Sequence, residues 1–508
     1  MQQDDPNIIL ITTNAPIATP THGDRAKCLQ RLLRLELPVP STVALSFDTV
    51  RGIAAGEMPD VKTILEAFAQ TDLLCVRPSS EDPDWGGPGA FLNIGMNQER
   101  FGQLTAQLGE ATAAALYTRF VQAYAVHVAR LDPDMFDSGS KAGPRQLAQA
   151  LQAYEAETEE EFPQDPAVQL SEVLRSMARA WEGVTARLLR QAKGAPADAK
   201  LGLVVQKMAV GLEQGVSGSG VLQMVSSSTG LPQIVGHYLS QSQGREALPV
   251  AHSTYLECDP RGPSLEDLNP EVLATLKRHL TLMRQRLRDE MQIEFTLQDC
   301  QLHILDCIRV QRTSQAAVRI AVALAGDKII SREEALMRIE PRALNELLHR
   351  QIASHAVCDT LGTGIAASPG AATGRIVFTA VEAQACEARK EACVLVRRET
   401  TPEDIRGMHA ASAVLTERGG MSSHAAVIAR GLGLPCVVGA SSFRFQVTQN
   451  LLTAPDGRVF KAGDILTVDG SHGTVIAGAP EMIEAGLDDA FQTLLGWADA
   501  IRDIDIRA

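Results

Sequence analysis

One histidine stands in a setting that suits phosphoryl transfer. His424 follows the glycines Gly419 and Gly420 and opens an Ala- and Val-rich run that predicts a helix, with Ser422 as a natural N-cap. In the first turn of a helix, free backbone N–H groups and the positive dipole end favour a neutral, nucleophilic imidazole and stabilise a phosphoryl group attached to it. A lone histidine on a helix is more often structural, but in this setting an imidazole can become a phosphate carrier.

The elements that must position His424 are readable on both sides of it. Residues 411–416 predict a buried strand that leads into the glycine loop. Gly431 and Gly433 are expected to end the helix before Pro435. A strand, a glycine turn and a short helix would then hold the imidazole at the start of the helix.

The amino-terminal part of the chain predicts strands and helices in turn. Strands are expected at 7–13 and 72–77, and helices at 25–35 and 61–70. From about 100 to 197 the composition turns to Ala, Leu, Gln and Glu with long helical runs. This change predicts a helical insertion.

The middle of the chain returns to short β-branched runs separated by Gly and Ser turns, from 201 to 311. Its last two runs, 293–296 and 302–305, predict adjacent strands. A helical connector is expected through about 332–358.

Length and composition indicate a large globular protein. A chain of 508 residues is expected to hold about three domains, and 45% hydrophobic with 21% charged residues is ordinary globular usage. The net charge of −14 and the 4% of aromatic residues disfavour binding to nucleic acid or to an anionic membrane. Nine cysteines without a Cys-x-x-Cys pair fit reduced thiols, and no apolar stretch approaches the ~20 residues that span a bilayer. The sequence predicts a cytoplasmic enzyme.

The sequence around His424 resembles that of a known family. Gly419-Gly-Met-Ser-Ser-His-Ala-Ala-Val, with a downstream Gly433-Leu-Pro-Cys-Val, is similar to the phosphohistidine signature of the phosphoenolpyruvate-utilising enzymes, most closely the pyruvate, phosphate dikinases. Residues 367–378 and 396–409 resemble the swivelling domain of that family. The resemblance makes His424 the phosphorylated residue and assigns its loop to Thr416, Arg418, Gly419, Gly420, Ser422 and Ser423.

Segments in the first 340 residues resemble the nucleotide-binding half of these enzymes, in the same order along the chain: 37–40, 91–97, 217–221 and 293–296. The implied fold is multidomain, α/β and α+β. An ATP-grasp-like nucleotide-binding domain with a helical insertion closes on ATP and Mg²⁺, and a swivelling phosphohistidine domain follows. The expected boundaries are 1–340 for the nucleotide-binding domain with its insertion at about 100–197, 341–361 for a helical linker, 362–480 for the swivelling domain and 481–508 for a carboxy-terminal helix.

Several positions that are expected to touch ATP depart from the family pattern. Arg25 takes the place of the phosphate-binding lysine, Asp306 takes that of a glutamine, and a following arginine is missing or displaced by one residue to Arg309. In one reading, Glu294 and Asp306 form a paired-carboxylate magnesium site. The triphosphate would then be neutralised by Arg25, Arg77 and Arg309. In the other reading, the nucleotide pocket is eroded.

The resemblance implies an ATP-dependent phosphotransferase that passes phosphate from ATP through His424 to an acceptor. In the family, a carboxy-terminal barrel binds phosphoenolpyruvate or pyruvate, and this sequence is expected to lack it because the similarity ends where the barrel should begin. The acceptor is therefore expected on another domain or a separate protein, or as a small molecule, and the sequence leaves a homo-oligomer open. The rival hypothesis is a noncatalytic or regulatory homologue with an altered nucleotide pocket, or a carrier that a partner phosphorylates.

Overall fold

The computed structural model describes residues 7–136, 143–213, 215–243, 252–260, 262–340, 344, 347, 349–353, 355–421, 423–446, 450–483 and 488–501. The chain forms two compact units, Met1–Val225 with Pro232–Val310, and Ser226–Leu231 with Gln311–Ala508. Both units mix helices and sheets, as the sequence predicted. In the part of the chain that is described, no helix is both long and apolar enough to cross a membrane.

The first unit contains a five-stranded antiparallel sheet that is covered on both faces. In chain order its strands are β1 (Ile8–Leu10), β2 (Thr42–Leu45), β3 (Leu74–Ser80), β4 (Phe91–Ile94) and β5 (Leu201–Lys207). Their spatial order is β1-β2-β5-β3-β4. Val205 packs into the core on one face and Val204 into the core on the other. Burial on both faces explains why the run at 203–205 is continuously apolar rather than alternating.

Helices cover one face of this sheet between β4 and β5, in the region where the sequence predicted them. They are Gln98–Leu108, Glu110–His127, Pro144–Thr158, Pro166–Glu182 and Val184–Ala192. The side chains of Asn97 and Asp165 cap two of them by accepting backbone N–H groups. Aromatic rings pack edge to face in this region, for example Phe120 of a helix and Phe162 of the connection between two helices, with centroids 5.6 Å apart. Two shorter helices, Phe47–Ala55 and Val61–Leu65, follow β2.

A second five-stranded antiparallel sheet completes the first unit. Its strands are β6 (Gly218–Val225), β7 (Pro232–Ser240), β8 (His252–Thr254), β9 (Met291–Gln298) and β10 (Gln301–Arg309), in the spatial order β10-β9-β6-β7-β8. The adjacent strands predicted at 293–296 and 302–305 are β9 and β10. The sheet packs against the helices Thr19–Arg34, Leu265–Leu268 and Pro270–Leu287.

The prediction of only short β-branched runs across 201–311 was wrong for one segment. Pro270–Leu287 is an 18-residue helix whose buried face carries Leu273, Leu276 and Leu280. These leucines recur at helical spacing, and Pro270 follows the N-cap Asn269, so the sequence contained the signal. The helix predicted at 25–35 also begins earlier, at Thr19, with a break in helical geometry at Gly23.

The second unit is built on an eight-stranded mixed sheet with a core on each face. The strands of the unit are β11 (Gln351–Ile352), β12 (Asp359–Thr363), β13 (Ile365–Ser368), β14 (Ala371–Val377), β15 (Cys393–Arg397), β16 (Ala413–Thr416), β17 (Cys436–Val438), β18 (Arg444–Gln446), β19 (Leu451–Thr453), β20 (Val459–Lys461), β21 (Ile465–Asp469), β22 (Thr474–Ala477) and β23 (Met482–Ile483). The spatial order of the eight-stranded sheet is β12-β22-β21-β14-β15-β16-β17-β13. β14 to β17 run parallel to one another, and the remaining pairs are antiparallel.

Three helices of the second unit alternate with the parallel strands: Ala380–Ala388, Ile405–Ala410 and His424–Leu432. The helices Ser314–Gly326 and Arg332–Met337 precede the sheet in sequence, and Asp489–Ile501 follows it. The helix Asp489–Ile501 packs against the two that precede the sheet and buries Phe491 and Leu494. The helical connector predicted at 332–358 was wrong in part, because one helix ends at Met337 and Gln351–Ile352 is a strand that pairs with β23.

Candidate functional site

A cleft of about 570 Å³ opens in the first unit, lined by strands of both of its sheets. β3 and β5 contribute side chains from the first sheet, while β6, β7, β9 and β10 contribute from the second. Pro88 and Gly89 of the Gly- and Pro-rich loop after β3 also line it, so this loop borders the cleft. The charged or titratable residues on its wall are Arg25, Cys75, Arg77, His127, Lys207, His237 and Glu294.

Four predicted site residues of the first unit meet in one network of alternating charge. The Arg25 guanidinium donates from Nε to Oδ2 of Asp306 at 2.9 Å. Arg77 donates from Nη2 to Glu294 and lies 3.8 Å from the same Oδ2 of Asp306. Each arginine also donates a hydrogen bond to a backbone carbonyl, Arg25 to that of Pro78 and Arg77 to that of Leu305. Two cations therefore balance two carboxylates.

A β-bulge puts the two carboxylates on the same side of the sheet. The register between β9 and β10 shifts at Leu305, so that Asp306 pairs directly with Glu294. Directly paired residues of antiparallel strands point to the same face. The bulge also turns the Leu305 carbonyl toward Arg77, which donates to it at 3.0 Å.

The network changes the ionisation of its own members. Burial acts to raise the pKa of Asp306, but the charges of Arg25 and then Arg77 outweigh it and hold that pKa below its usual value. Burial acts to lower the pKa of Arg77, and the carboxylates of Asp306 and Glu294 instead raise it. Asp306 and Arg77 are therefore both charged near neutral pH.

Arg309 was predicted to bind phosphate, but the structure does not bring it to this network. It lies three residues after Asp306, and side chains alternate between the two faces of a strand, so it points to the opposite face. There it forms an ion pair with Asp289 at 3.0 Å and is largely exposed to solvent. Ile308 stands at the position where the family pattern has its arginine.

The predicted magnesium site of Glu294 and Asp306 does not fit the observed donor set. Mg²⁺ requires carboxylate oxygens that are free to face it in an octahedral arrangement. Oδ1 of Asp306 accepts the Cys307 N–H at 2.9 Å and Oδ2 accepts Arg25, and Glu294 alone of the two carboxylates lines the cleft. Across the described residues, no group of three or more His, Cys, Asp or Glu side chains could hold a metal ion.

His424 lies in the second unit and is the first residue of the helix His424–Leu432. β16 ends at Thr416 and leads into the loop, and the helix ends with Gly433 in the left-handed conformation, as predicted. The predicted N-cap was wrong by one residue. Ser423, rather than Ser422, caps the helix by accepting the Ala426 N–H, and Ser422 lies outside the described residues.

The loop around His424 is held by its backbone and by one arginine. The Thr416 hydroxyl donates to the Arg418 carbonyl at 2.8 Å, and the Gly420 carbonyl accepts the Ser423 N–H. Gly419 has a φ of 118°, a conformation that favours glycine. Arg430 donates to the Met421 carbonyl at 2.8 Å and so ties the end of the loop to the helix.

Thr400 is a neighbour of His424 that sequence reasoning missed. Its hydroxyl lies 3.3 Å from Nδ1 of the imidazole, and the side chain is buried at the end of the segment that follows β15. The segment 396–409 had been singled out by resemblance, but only the parallel pairing of β15 with β16 brings it beside the loop. In the first unit, the cleft residues Lys207 and His127 were missed for the same reason, because distant strands and helices bring them together.

Known proteins are similar to this chain both around His424 and across most of its length. Residues 389–473, which include His424, match the family model described as the mobile domain of PEP-utilising enzymes. Pyruvate, phosphate dikinase of Rhizobium meliloti (strain 1021) is 36% identical over 460 residues, which cover 86% of this chain and 51% of the relative. The enzyme of that name from Clostridium symbiosum is 34% identical over 86% of this chain and 52% of the relative. Pyruvate, phosphate dikinase of Rickettsia prowazekii (strain Madrid E) is 32% identical over 522 residues, which cover 96% of this chain and 59% of the relative.

The chain is a homologue of the pyruvate, phosphate dikinases. It spans about half the length of the curated relatives it matches. The dikinase similarity covers most of the chain, so it reaches well beyond the matched mobile domain.

Proposed function

We propose that the chain is an ATP-dependent phosphotransferase that carries a phosphoryl group on His424. The observation that carries this proposal is the placement of His424 as the first residue of a glycine-preceded helix within a segment that matches the mobile domain of PEP-utilising enzymes. The arginine-lined cleft of the first unit supports an ATP-grasp-like role for that unit. Identity to dikinases over both units supports their working together.

The chemistry at His424 requires a free lone pair on one ring nitrogen. With the proton on Nδ1, the imidazole donates to the Thr400 hydroxyl at 3.3 Å, and Nε2 keeps its lone pair for attack on phosphorus. Unpaired N–H groups in the first turn of the helix then stabilise the negative charge of the bound phosphoryl group. In this tautomer Thr400 accepts the Nδ1 proton and leaves Nε2 free to react.

In the proposed reaction, Nε2 attacks the β-phosphorus of ATP and AMP leaves. The terminal phosphoryl group of the resulting pyrophosphorylated histidine then passes to inorganic phosphate, which leaves as pyrophosphate, and His424 keeps one phosphate. Arg25 and Arg77 line the cleft and neutralise the charge of the triphosphate, while positioning supplies much of the rate. Magnesium enters with the substrate as Mg-ATP, because the carboxylates do not form a resident site for it. The final acceptor lies on another domain or protein, or is a small molecule.

The test is incubation of the purified chain with Mg-ATP labelled at either the β or the γ phosphate. We expect acid-labile, alkali-stable label on His424 from the β-labelled nucleotide, with release of AMP. His424→Ala should lose all label and retain nucleotide affinity. His472→Ala removes an exposed histidine of the same unit, and this matched control should label normally.

Failure to label has a defined meaning. If the folded chain binds nucleotide without labelling, the regulatory hypothesis replaces the phosphotransferase. If it labels only when a phosphorylated partner is supplied, it is a carrier. The charge balance of the Arg25, Arg77, Glu294 and Asp306 network is the observation that favours these alternatives, because it leaves the cleft with less positive charge than two unpaired arginines would give.

A further inference from the structure

We propose that Asp306 is the buried counter-ion that positions Arg25 and Arg77 at the cleft, and that it is not a metal ligand. The inference rests on the proposed nucleotide-binding function of this cleft. It assigns Asp306 a role through the two arginines, so Asp306 is a positioning residue that does not touch the nucleotide.

The surroundings of the Asp306 carboxylate carry the first step. The residue is 2% exposed and does not line the cleft, whereas Arg25, Arg77 and Glu294 all do. Its Oδ1 accepts the N–H of Cys307 and its Oδ2 accepts Nε–H of Arg25, both at 2.9 Å. Asp306 therefore lies behind the arginines and presents Oδ2 to them, while Oδ1 accepts the backbone N–H of Cys307.

The second step is the way each guanidinium is held. Arg25 donates hydrogen bonds to both the Asp306 carboxylate and the Pro78 carbonyl. Arg77 donates to both Glu294 and the Leu305 carbonyl, and Asp306 lies beside it. A planar guanidinium held on two sides has a fixed orientation, which suits it to meet phosphate oxygens with its remaining N–H groups.

The third step is the difference between Arg25 and the lysine expected at this place. Lysine is a point charge on a flexible stem, and it needs no fixed partner to direct it. Arginine has a planar fork that must be oriented, and a carboxylate directly behind it supplies that orientation. The sequence carries both changes at once, Arg25 in one segment and Asp306 in another 281 residues away, and the structure joins them.

The experiment measures ATP binding by calorimetry for the wild-type chain and for Asp306→Asn, each in EDTA and across a Mg²⁺ titration. Asparagine keeps the shape and removes the charge. We expect Asp306→Asn to weaken ATP binding by about tenfold, the size of effect typical for a lost charge-assisted hydrogen bond, equally with and without Mg²⁺. The Mg²⁺ concentration at half-saturation should stay unchanged.

A coupling measurement tests whether Asp306 acts through Arg25. In the Arg25→Gln background, the further substitution Asp306→Asn should weaken ATP binding by less than twofold, because the group it orients is already gone. A large rise in the Mg²⁺ half-saturation on Asp306→Asn, or additive losses in the double variant, would overturn the assignment. If Asp306→Asn fails to fold, Arg25→Gln alone decides, since freeing a true metal ligand from Arg25 should strengthen Mn²⁺ binding measured by electron paramagnetic resonance.

The wild-type titration separates this inference from the proposed function. If the wild-type chain binds no ATP in any condition, the nucleotide-binding function itself fails. If it binds ATP but the Asp306 variant changes only the metal dependence, the function stands and the positioning role falls. Glu294→Gln serves as the comparison variant, because Glu294 does line the cleft.

Discussion

The cleft of the first unit and the His424 loop of the second hold their functional groups in different ways. In the cleft, Arg25, Arg77, Glu294 and Asp306 are buried or half-buried and paired with one another through side chains from distant segments. In the loop, His424 is partly exposed and is held by a short stretch of neighbouring backbone, with the Thr400 hydroxyl as its side-chain contact. Substitutions should therefore lower stability as well as nucleotide binding in the first region, and slow the chemistry in the second.

Removing Arg77 should produce the largest loss of stability. Arg77→Met leaves Asp306 and Glu294 with Arg25 as their remaining cation in the network, and breaking a buried ion pair costs about 3–5 kcal/mol. Hydrogen exchange in β3 and β9 should report this decrease in the free energy of unfolding. The control, Arg51→Met, removes an exposed partner of Asp48 and should change stability by less than about 0.5 kcal/mol. Equal effects of the two substitutions would show that the network is not buried as described.

The pH dependence of the same network sharpens the comparison. The folded pKa of Asp306 is lowered by Arg25 and Arg77, so its charge contributes stability fully above the unfolded pKa of about 3.9. That contribution is lost as pH falls through the lower folded pKa. The stability difference between wild type and Asp306→Asn in β9 and β10 should accordingly be constant from pH 7 to about 5 and shrink below about 4. Acid titration of hydrogen exchange would contradict this if the difference widened as pH fell.

The contrast between the regions also explains what the sequence could predict. Strand β16, Gly419 and Gly420, the helix at His424 and its end at Gly433 are local features within about twenty residues, and periodicity with glycine placement predicted them. The capping serine was wrong by one position because two serines in succession satisfy the same pattern. The capping serine is the one whose hydroxyl accepts the backbone N–H three residues further along the chain, and the Ser423 hydroxyl accepts that of Ala426.

The cleft was less predictable because its geometry is non-local. The resemblance to the family marked Arg25, Arg77, Glu294 and Asp306, and the structure brings all four together. The pairing of carboxylates with arginines depends on the bulge at Leu305, which sets the direction of every later side chain in β10. No sequence period contains a bulge, so the burial of Asp306 behind the two arginines could not be read from the chain. Strand alternation alone turns Arg309 away from the face of Asp306, and its ion pair with Asp289 is a tertiary contact. The domain boundaries and the catalytic roles remain predictions.

The loop of the second unit should respond to backbone strain with a loss of phosphorylation. Gly419→Ala places a Cβ 2.9 Å from the Ser423 side chain at a φ of 118°, a conformation that costs a non-glycine residue about 1–2 kcal/mol. We expect about a ten- to hundredfold lower rate of His424 labelling, since small displacements of a reacting group have effects of this size. Gly420→Ala is the matched control, because nothing lies within 4 Å of its added Cβ. Similar losses in both variants would remove strain at Gly419 as the cause.

The smallest expected effect is at Thr400, and it tests whether the loop relies on a side chain at all. Thr400→Val keeps the shape and removes the hydroxyl 3.3 Å from Nδ1 of His424, so the imidazole loses the group that accepts the Nδ1 proton in the reactive tautomer. One hydrogen bond contributes about 0.5–1.5 kcal/mol, which predicts a two- to tenfold slower labelling rate with unchanged ATP affinity in the first unit. Thr400→Ser retains the hydroxyl and should restore the rate. A valine variant that labels at the wild-type rate would mean that the helix and its glycine loop alone position His424, and the two regions would then differ even more sharply.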